Sequence, residues 1–333
     1  MLITIIARRD PTLAARVLRS TSLLYADGAD AALDRPAHVR SASGLVWAGE
    51  RVAIIQDDAN FIALADPRTG VSGALALPAG EGGLRQFDDV RGNKRFKLDL
   101  ECCIRLEDAD GGETMIGFGS GSTLARDRIV IVRGVAADAP GVRVVDAGAL
   151  YAALRAETAF AGSEMNIEGA AVIGGTLRLF NRGNGAPHGD LVPVNATAEV
   201  ELAAFLAYLD DPASTPPRIG AIARYELGAI GAFPLTFTDA VARGGAILYA
   251  AAAEGSPDAT RDGPVAGCAI GILRDGVGRY AEVRNADGTL YPGKIEGILP
   301  RGDDPSRLWA VIDRDDPAAP SEILEIVLEG NWA

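Results

Sequence analysis

With 333 residues, 48% of them hydrophobic and 23% charged, the chain has the composition of a folded globular protein and lies far from that of a disordered segment. A formal charge of -13 excludes nucleic acid and anionic membrane surfaces as main partners, because both need a basic footprint, and favours a cation or a neutral ligand. No apolar run approaches the roughly 20 residues that span a bilayer, and the apolar start from Met1 to Ile6 is too short for a signal-peptide core, so the chain reads as cytoplasmic.

Three cysteines, Cys102, Cys103 and Cys268, show no Cys-x-x-Cys spacing, and His38 and His188 are the only histidines. A disulfide framework, a thiolate zinc site and a multi-histidine metal site are therefore not indicated.

Along the chain, Leu2 to Ile6 and Ser20 to Tyr25 are strand-like, and then a repeat begins. Ser43 to Asp58 aligns without gaps on Glu168 to Gly183, each reading as strand, two-residue turn with glycine, strand and polar exit, which is the signature of a tight hairpin. Further copies start at Glu101, with a turn through Asp110 to Gly112, at Thr238-Asp239, with a Gly244-Gly245 turn, and at Glu296, with a turn through Gly302 to Pro305.

Third strands are predicted at Phe61 to Ala65, Arg128 to Val132, Asp190 to Val194, Cys268 to Leu273 and Glu322 to Leu328. Fourth strands are predicted at Ala74 to Leu77, Val142 to Val145, Val200 to Leu202 and Arg279 to Val283. The stretches Leu150 to Thr158 and Ala203 to Leu209 carry a helical period and are placed in loops between repeats.

Repeated four-stranded modules of this kind predict an all-β chain, a single β-propeller domain over residues 1–333 with five blades, or six if an irregular one is added. The fifth repeat lacks a fourth strand, so ring closure falls to the N-terminal segment, Leu2 to Ile6 or Ser20 to Tyr25, which also removes an open sheet edge.

In a propeller the first strand of each blade lines the central channel, so Ser43, Glu101, Glu168, Thr238 with Asp239, and Glu296 are expected to converge near the axis. Carboxylates crowded there repel one another unless relieved. One relief is a hard cation, Ca²⁺ or Mg²⁺, held by Glu101, Glu168, Glu296 and Asp239 with the amide of Asn166 nearby. The other is internal pairing through Lys97 and Lys294, the latter two residues before Glu296 and so on the same strand face. The glycines of Glu168-Gly169 and Glu296-Gly297 read as points of close backbone approach. The polar exits Gln56 to Asp58, Asn181 to Gly183 and Asp313 to Asp316 are expected at the opposite rim. His188, in the loop Asn184 to Asp190, is a candidate general base without an accompanying nucleophile motif, and Gly117 to Ser122 reads as an exit loop.

At Asn166-Ile-Glu168-Gly-Ala-Ala-Val with Gly-Gly-Thr-Leu, and at Lys294-Ile-Glu296-Gly-Ile, the chain resembles bacterial propellers of the phytase-like esterase group and, most closely, related uncharacterised families, over about residues 40 to 328. Gluconolactonase and phytase propellers hold calcium with acidic residues at one mouth of the channel, so the resemblance implies Glu101, Glu168 and Glu296 as ligands. The Glu-Gly-Pro and Trp opening of the lactonases is absent, and Ser43 and Thr238 stand where further acids would be expected. Two functions follow. One is a scaffold with an acidic channel that binds a small molecule or protein at its rim. The other is a divalent-metal-assisted hydrolase of phosphoesters or lactones, with Arg182 or Lys294 steadying an anionic substrate.

Overall fold

The computed structural model describes residues 2–108, 111–255 and 263–332. Asp110, predicted in the turn of the second repeat, lies outside the described residues. The chain is all-β and propeller-like, built from consecutive antiparallel four-stranded units, and among the described residues no helix is long and apolar enough to cross a membrane.

The first unit comprises Ala42–Ala48, Arg51–Gln56, Phe61–Ala65 and Val71–Ala76. The second comprises Leu100–Glu107, Glu113–Gly119, Arg128–Arg133 and Gly141–Asp146. The fourth runs Phe233–Arg243, Ala246–Glu254, Val265–Arg274 and Val277–Arg284, and the fifth begins Ile295–Pro300, Arg307–Ile312 and Glu322–Glu329. Within each, successive strands pair antiparallel, as the alternation of apolar runs and turns predicts.

The third unit departs from expectation. Its first two strands, Ile167–Ile173 and Thr176–Asn181, fall where the repeat places them, but its third is Asn195–Glu201 and its fourth Ile219–Glu226. Asp190 to Val194 stays out of the ladder. Pro187 and Pro193 lack the N–H a ladder needs, and Gly189 turns the chain at φ 58°. Residues 200–202 end the third strand and open the helix Leu202–Asp210, which therefore lies inside the unit and not between units. The helices Gly148–Ala156 and Thr158–Ala161 do connect units two and three.

The segment that joins the last unit also differs. Ala14–Ser22 pairs antiparallel with Glu322–Glu329 as the fifth unit's fourth strand, overlapping only the start of the predicted Ser20 to Tyr25. Ile3–Arg9 pairs in parallel with the outer strands of units three and four, and Leu24–Tyr25 adds a parallel edge to unit one. These N-terminal pairings join units three, four and five into one 14-stranded sheet, beside separate sheets of four and five strands.

Each unit is buried on both faces. In Arg51–Gln56, Val52 and Ile54 pack with Trp309 and Val311 of unit five, while Ala53 and Ile55 pack with Leu100 and Met115 of unit two. The period of two thus sends alternate residues into two different cores, which is why these strands read as unbroken apolar runs. Among the described residues, apolar clusters lie between units one and two, two and three, three and four, four and five, and five and one. Each first strand contacts the first strands of its two neighbours in the same cyclic order.

Candidate functional site

Every first strand breaks register at the same place. The shift lies between Ala42 and Leu45, Leu100 and Cys102, Ile167 and Gly169, Phe237 and Asp239, and Ile295 and Gly297. The residues bypassed include Ser43, Glu101, Glu168, Thr238 and Glu296, the positions at which the sequence repeats begin. A bulge re-aims one side chain out of the regular alternation. Ser43, Glu101, Glu168 and Glu296 line one cavity of about 60 Å³, whereas Thr238 is fully buried and donates its hydroxyl to the carbonyl of Ile295 at 2.6 Å.

The glycines beside the bulges are close-approach points. A Cβ on Gly169 would lie 3.0 Å from the backbone nitrogen of Ala240, and one on Gly297 would lie 2.5 Å from the carbonyl oxygen of Ser43. Both contacts are between neighbouring first strands, so the glycines let adjacent backbones meet.

The polar exits share this mouth and do not lie at the opposite rim: Asp57, Arg182 and Asp313 line the same cavity. In an antiparallel hairpin the end of the second strand lies beside the start of the first, which the predicted placement overlooked.

Two buried ion-pair networks organise the walls. On the side of units one and two, the Lys97 ammonium is 2.6 Å from Asp57 Oδ2, 3.0 Å from Asp58 Oδ1 and 2.7 Å from Asp99 Oδ1, and Arg126 Nη1 is 3.1 Å from Asp99 Oδ2. On the other side, Arg182 joins Glu168 at 3.2 Å to Glu254, and Lys294 pairs with Glu296 at 2.9 Å and Glu254 at 3.6 Å. Asn166 donates to Glu168 at 2.7 Å, and Ser43 donates its hydroxyl to Glu101 at 2.8 Å.

Burial pushes the Glu101 and Asp57 carboxyls well above the ordinary range, each reinforced by neighbouring acids. Burial likewise raises Glu168 against Arg182 and Lys294, and lifts Glu296 to about 8 against Lys294. Asp99 goes the other way: burial pushes it up, but Lys97 and Arg126 outweigh this and hold it low. Seven carboxyl residues and five cationic ones line the cavity, so it is mixed in charge.

Of the residues expected to bind a cation, Glu101, Glu168 and Glu296 with Asn166 meet in the cavity, but Asp239 does not join them. Its carboxylate accepts the backbone N–H groups of Ile298 and Ala240. Among the described residues, the carboxyls of Asp57, Asp99 and Glu101 bring ligand atoms within 4.8 Å of one another. Asp57 and Asp99 were not in the predicted set. The signal for Asp99 was present in the two-residue spacing of Lys97, Asp99 and Glu101, which recurs as Asn166 with Glu168 and Lys294 with Glu296, although in each case the earlier residues precede the strand. His188 is exposed and does not line the cavity.

A comparison with curated protein sequences finds no match. Among solved structures, the chain is similar to the glutaminyl cyclase of Myxococcus xanthus, at 9% identity and a TM-score of 0.47 over 99% of this chain and 100% of that one. It is also similar to a GH43 β-1,3-galactosidase, at 9% identity and a TM-score of 0.48 over 92% of this chain and 59% of that one. A third is an α-L-arabinofuranosidase from Podospora anserina, at 10% identity and a TM-score of 0.45 over 97% and 98% of the two chains. Residues 38–328 match a family of unknown function, DUF6929, and the chain belongs to that family.

Proposed function

We propose that the chain is a five-bladed β-propeller, closed by the pairing of Ala14–Ser22 with Glu322–Glu329, which binds a small polar ligand in the charged mouth of its channel. The cyclic order of first-strand contacts and intervening cores supports the ring. The segments that would seed a sixth blade are spent elsewhere, as the connecting helix Gly148–Ala156 and as N-terminal strands bound to other units.

The observation that carries the binding reading is the convergence of bulged residues and strand exits on one cavity whose charges are already fixed by ion pairs. Such a site is pre-organised, and pre-organisation lowers the entropic cost of holding a ligand. Nucleophiles are poorly provided: Ser43 donates to Glu101, and burial pushes the Cys102 and Cys103 thiols up, away from the thiolate. An acidic rim that includes Asp58, Asp88, Asp89 and Asp316 adjoins the cavity and suits a basic surface on a protein partner.

The second reading is a Ca²⁺- or Mg²⁺-assisted hydrolase of phosphoesters or lactones, the activity that a relationship to phytase-like esterase and gluconolactonase propellers would imply; the comparisons do not show that relationship. The oxygens of Asp57, Asp99 and Glu101 favour it in donor type. Against it, the Lys97 ammonium already supplies positive charge to two of the three.

Thermal unfolding of EDTA-treated protein separates the readings, because a cation bound only by the folded state raises the midpoint. The binding reading expects no shift with millimolar Ca²⁺ or Mg²⁺. A saturable rise that disappears in Glu101→Gln would replace it with the metal reading.

A further inference from the structure

We propose that the outer edge of the second unit, along Gly141–Asp146, is a docking site for an extended segment of another polypeptide, which adds to the sheet as a further strand. The rest of the chain sets the contrast. The outer strand of every other unit carries a parallel partner at its edge: Ile219–Glu226 and Val277–Arg284 take Ile3–Arg9, Ala14–Ser22 takes the end of Val277–Arg284, and Val71–Ala76 takes Leu24–Tyr25. Among the described residues, Gly141–Asp146 pairs with Arg128–Arg133 alone.

The ladder fixes which backbone groups stay open. Arg128–Arg133 and Gly141–Asp146 pair without a register shift, and the same register extends to the hydrogen bond that the Ala147 N–H donates to the Asp127 carbonyl. In an antiparallel pair, residue pairs that exchange hydrogen bonds alternate with pairs that do not. Gly141, Arg143 and Val145 therefore bond inward, as Ala147 does, while Val142, Val144 and Asp146 turn their N–H and C=O groups outward. Among the described residues no other backbone group meets them.

Exposed edges are commonly guarded by proline, lysine or a bulge, and this strand has none of these. Its two charged side chains are engaged within the protein. The Arg143 guanidinium donates to the Leu209 carbonyl at 2.7 Å, and the Asp146 carboxylate pairs with Arg128 at 3.3 Å and accepts the Gly148 N–H at 3.0 Å. Val142, Val144 and Val145 suit an extended backbone. A regular, β-branched edge with open hydrogen-bonding groups is what strand addition requires.

The register also argues against a second copy as the occupant. Open groups must meet open groups, so a two-fold antiparallel pairing through the middle of the strand is centred on Arg143 or on Val144. The first sets the two Arg143 side chains directly opposite and the second sets them diagonally across the seam, and like charges so placed repel. Each copy also carries a charge of -13. The segment that fits is neutral or basic, with β-branched residues opposite Val142 and Val144.

The test is fluorescence polarisation of the intact protein with the labelled, end-blocked peptide Lys-Thr-Val-Thr-Val-Thr-Lys and with its analogue carrying proline at the central position. Saturable binding of the first and none of the second is expected. Val144→Pro removes an outward N–H that the ladder does not use, a place where an edge strand tolerates proline. Binding should weaken at least about tenfold, or about 1.4 kcal/mol, with little change in the thermal midpoint. Val142→Pro is the second variant if the first unfolds. Hydrogen exchange should show the Val142 and Val144 amides slowed by the peptide. Failure of the peptide to bind at millimolar concentration, or equal binding by Val144→Pro and Val142→Pro, would overturn the proposal. A dimer in sedimentation that Val144→Pro abolishes would place a second copy on this edge and overturn the choice of partner.

Discussion

Asp239 of the fourth unit accepts the backbone N–H of Ile298 in the fifth at 2.7 Å, while its other oxygen accepts the N–H of Ala240 at 2.7 Å. The carboxylate thus links two neighbouring first strands at the bulge, where the ladder leaves donors unpaired. Asp239→Ala removes both acceptors from a site that is 4% exposed. Stranding buried donors costs about 1–3 kcal/mol each, so a loss of about 2–6 kcal/mol is expected for the two. Urea denaturation should show a lower midpoint with an unchanged slope. An unaltered midpoint would mean that the two N–H groups find other acceptors.

Gly297 and Gly44 test the packing between neighbouring first strands by contrast. An added Cβ at Gly297 would sit 2.5 Å from a backbone oxygen, whereas at Gly44 the nearest atoms, the Cα of Cys102 and the Cδ1 of Ile55, are both 3.2 Å away. Gly297→Ala must therefore move backbone, and about 1–3 kcal/mol or more is the usual cost of such overpacking. Gly44→Ala is expected to cost less. Thermal midpoints of the two variants check the order, and equal losses would contradict the close approach of units five and one.

Much of this architecture is legible in the chain because two signals repeat: an apolar hairpin with a glycine turn, and a polar residue two positions before the bulge. Ser41 and Ser43, Asp99 and Glu101, Asn166 and Glu168, Thr236 and Thr238, and Lys294 and Glu296 share that spacing. The third and fourth strands of the third unit escaped because a proline-bearing loop held residues that merely resembled a strand. The strand Ala14–Ser22 escaped because its outward Arg16 and Arg19 dilute the apolar alternation, and only its partner across the sheet identifies it. Lys97 was legible as a partner for an acid, but its grip on Asp57 and Asp58 spans about 40 positions of sequence, which no local spacing encodes.

Lys97→Met should expose the electrostatic role of that grip. The ammonium is buried and neutralises Asp57, Asp58 and Asp99, and breaking a buried pair from one side costs about 3–5 kcal/mol. Asp99 is held low in the native protein, so its ionised form contributes stability above its unfolded pKa and loses that contribution as pH falls through the folded value. Without Lys97 the remaining carboxyls can take up protons, so the deficit should be large at pH 7 and smaller near pH 4. Denaturation at the two pH values checks this, and a constant deficit would show that lost packing, not lost charge, dominates.

Glu296 gives the opposite pH dependence. Burial, opposed by Lys294 and reinforced by Glu168, lifts its carboxyl from 4.5 to about 8. Between these values the unfolded chain has released the proton that the folded protein still holds, so stability falls as pH rises through the window and levels off above it. One such group contributes a slope of up to about 1.4 kcal/mol per pH unit. Glu296→Gln keeps a neutral side chain of the same size at all pH values, so its stability curve between pH 5 and 8 should be flatter than that of the native protein, with the two closest at the acid end. Chemical denaturation at intervals across this range measures the slope directly. Parallel curves would mean that Glu296 is ionised in the folded state already at pH 5, with Lys294 outweighing burial.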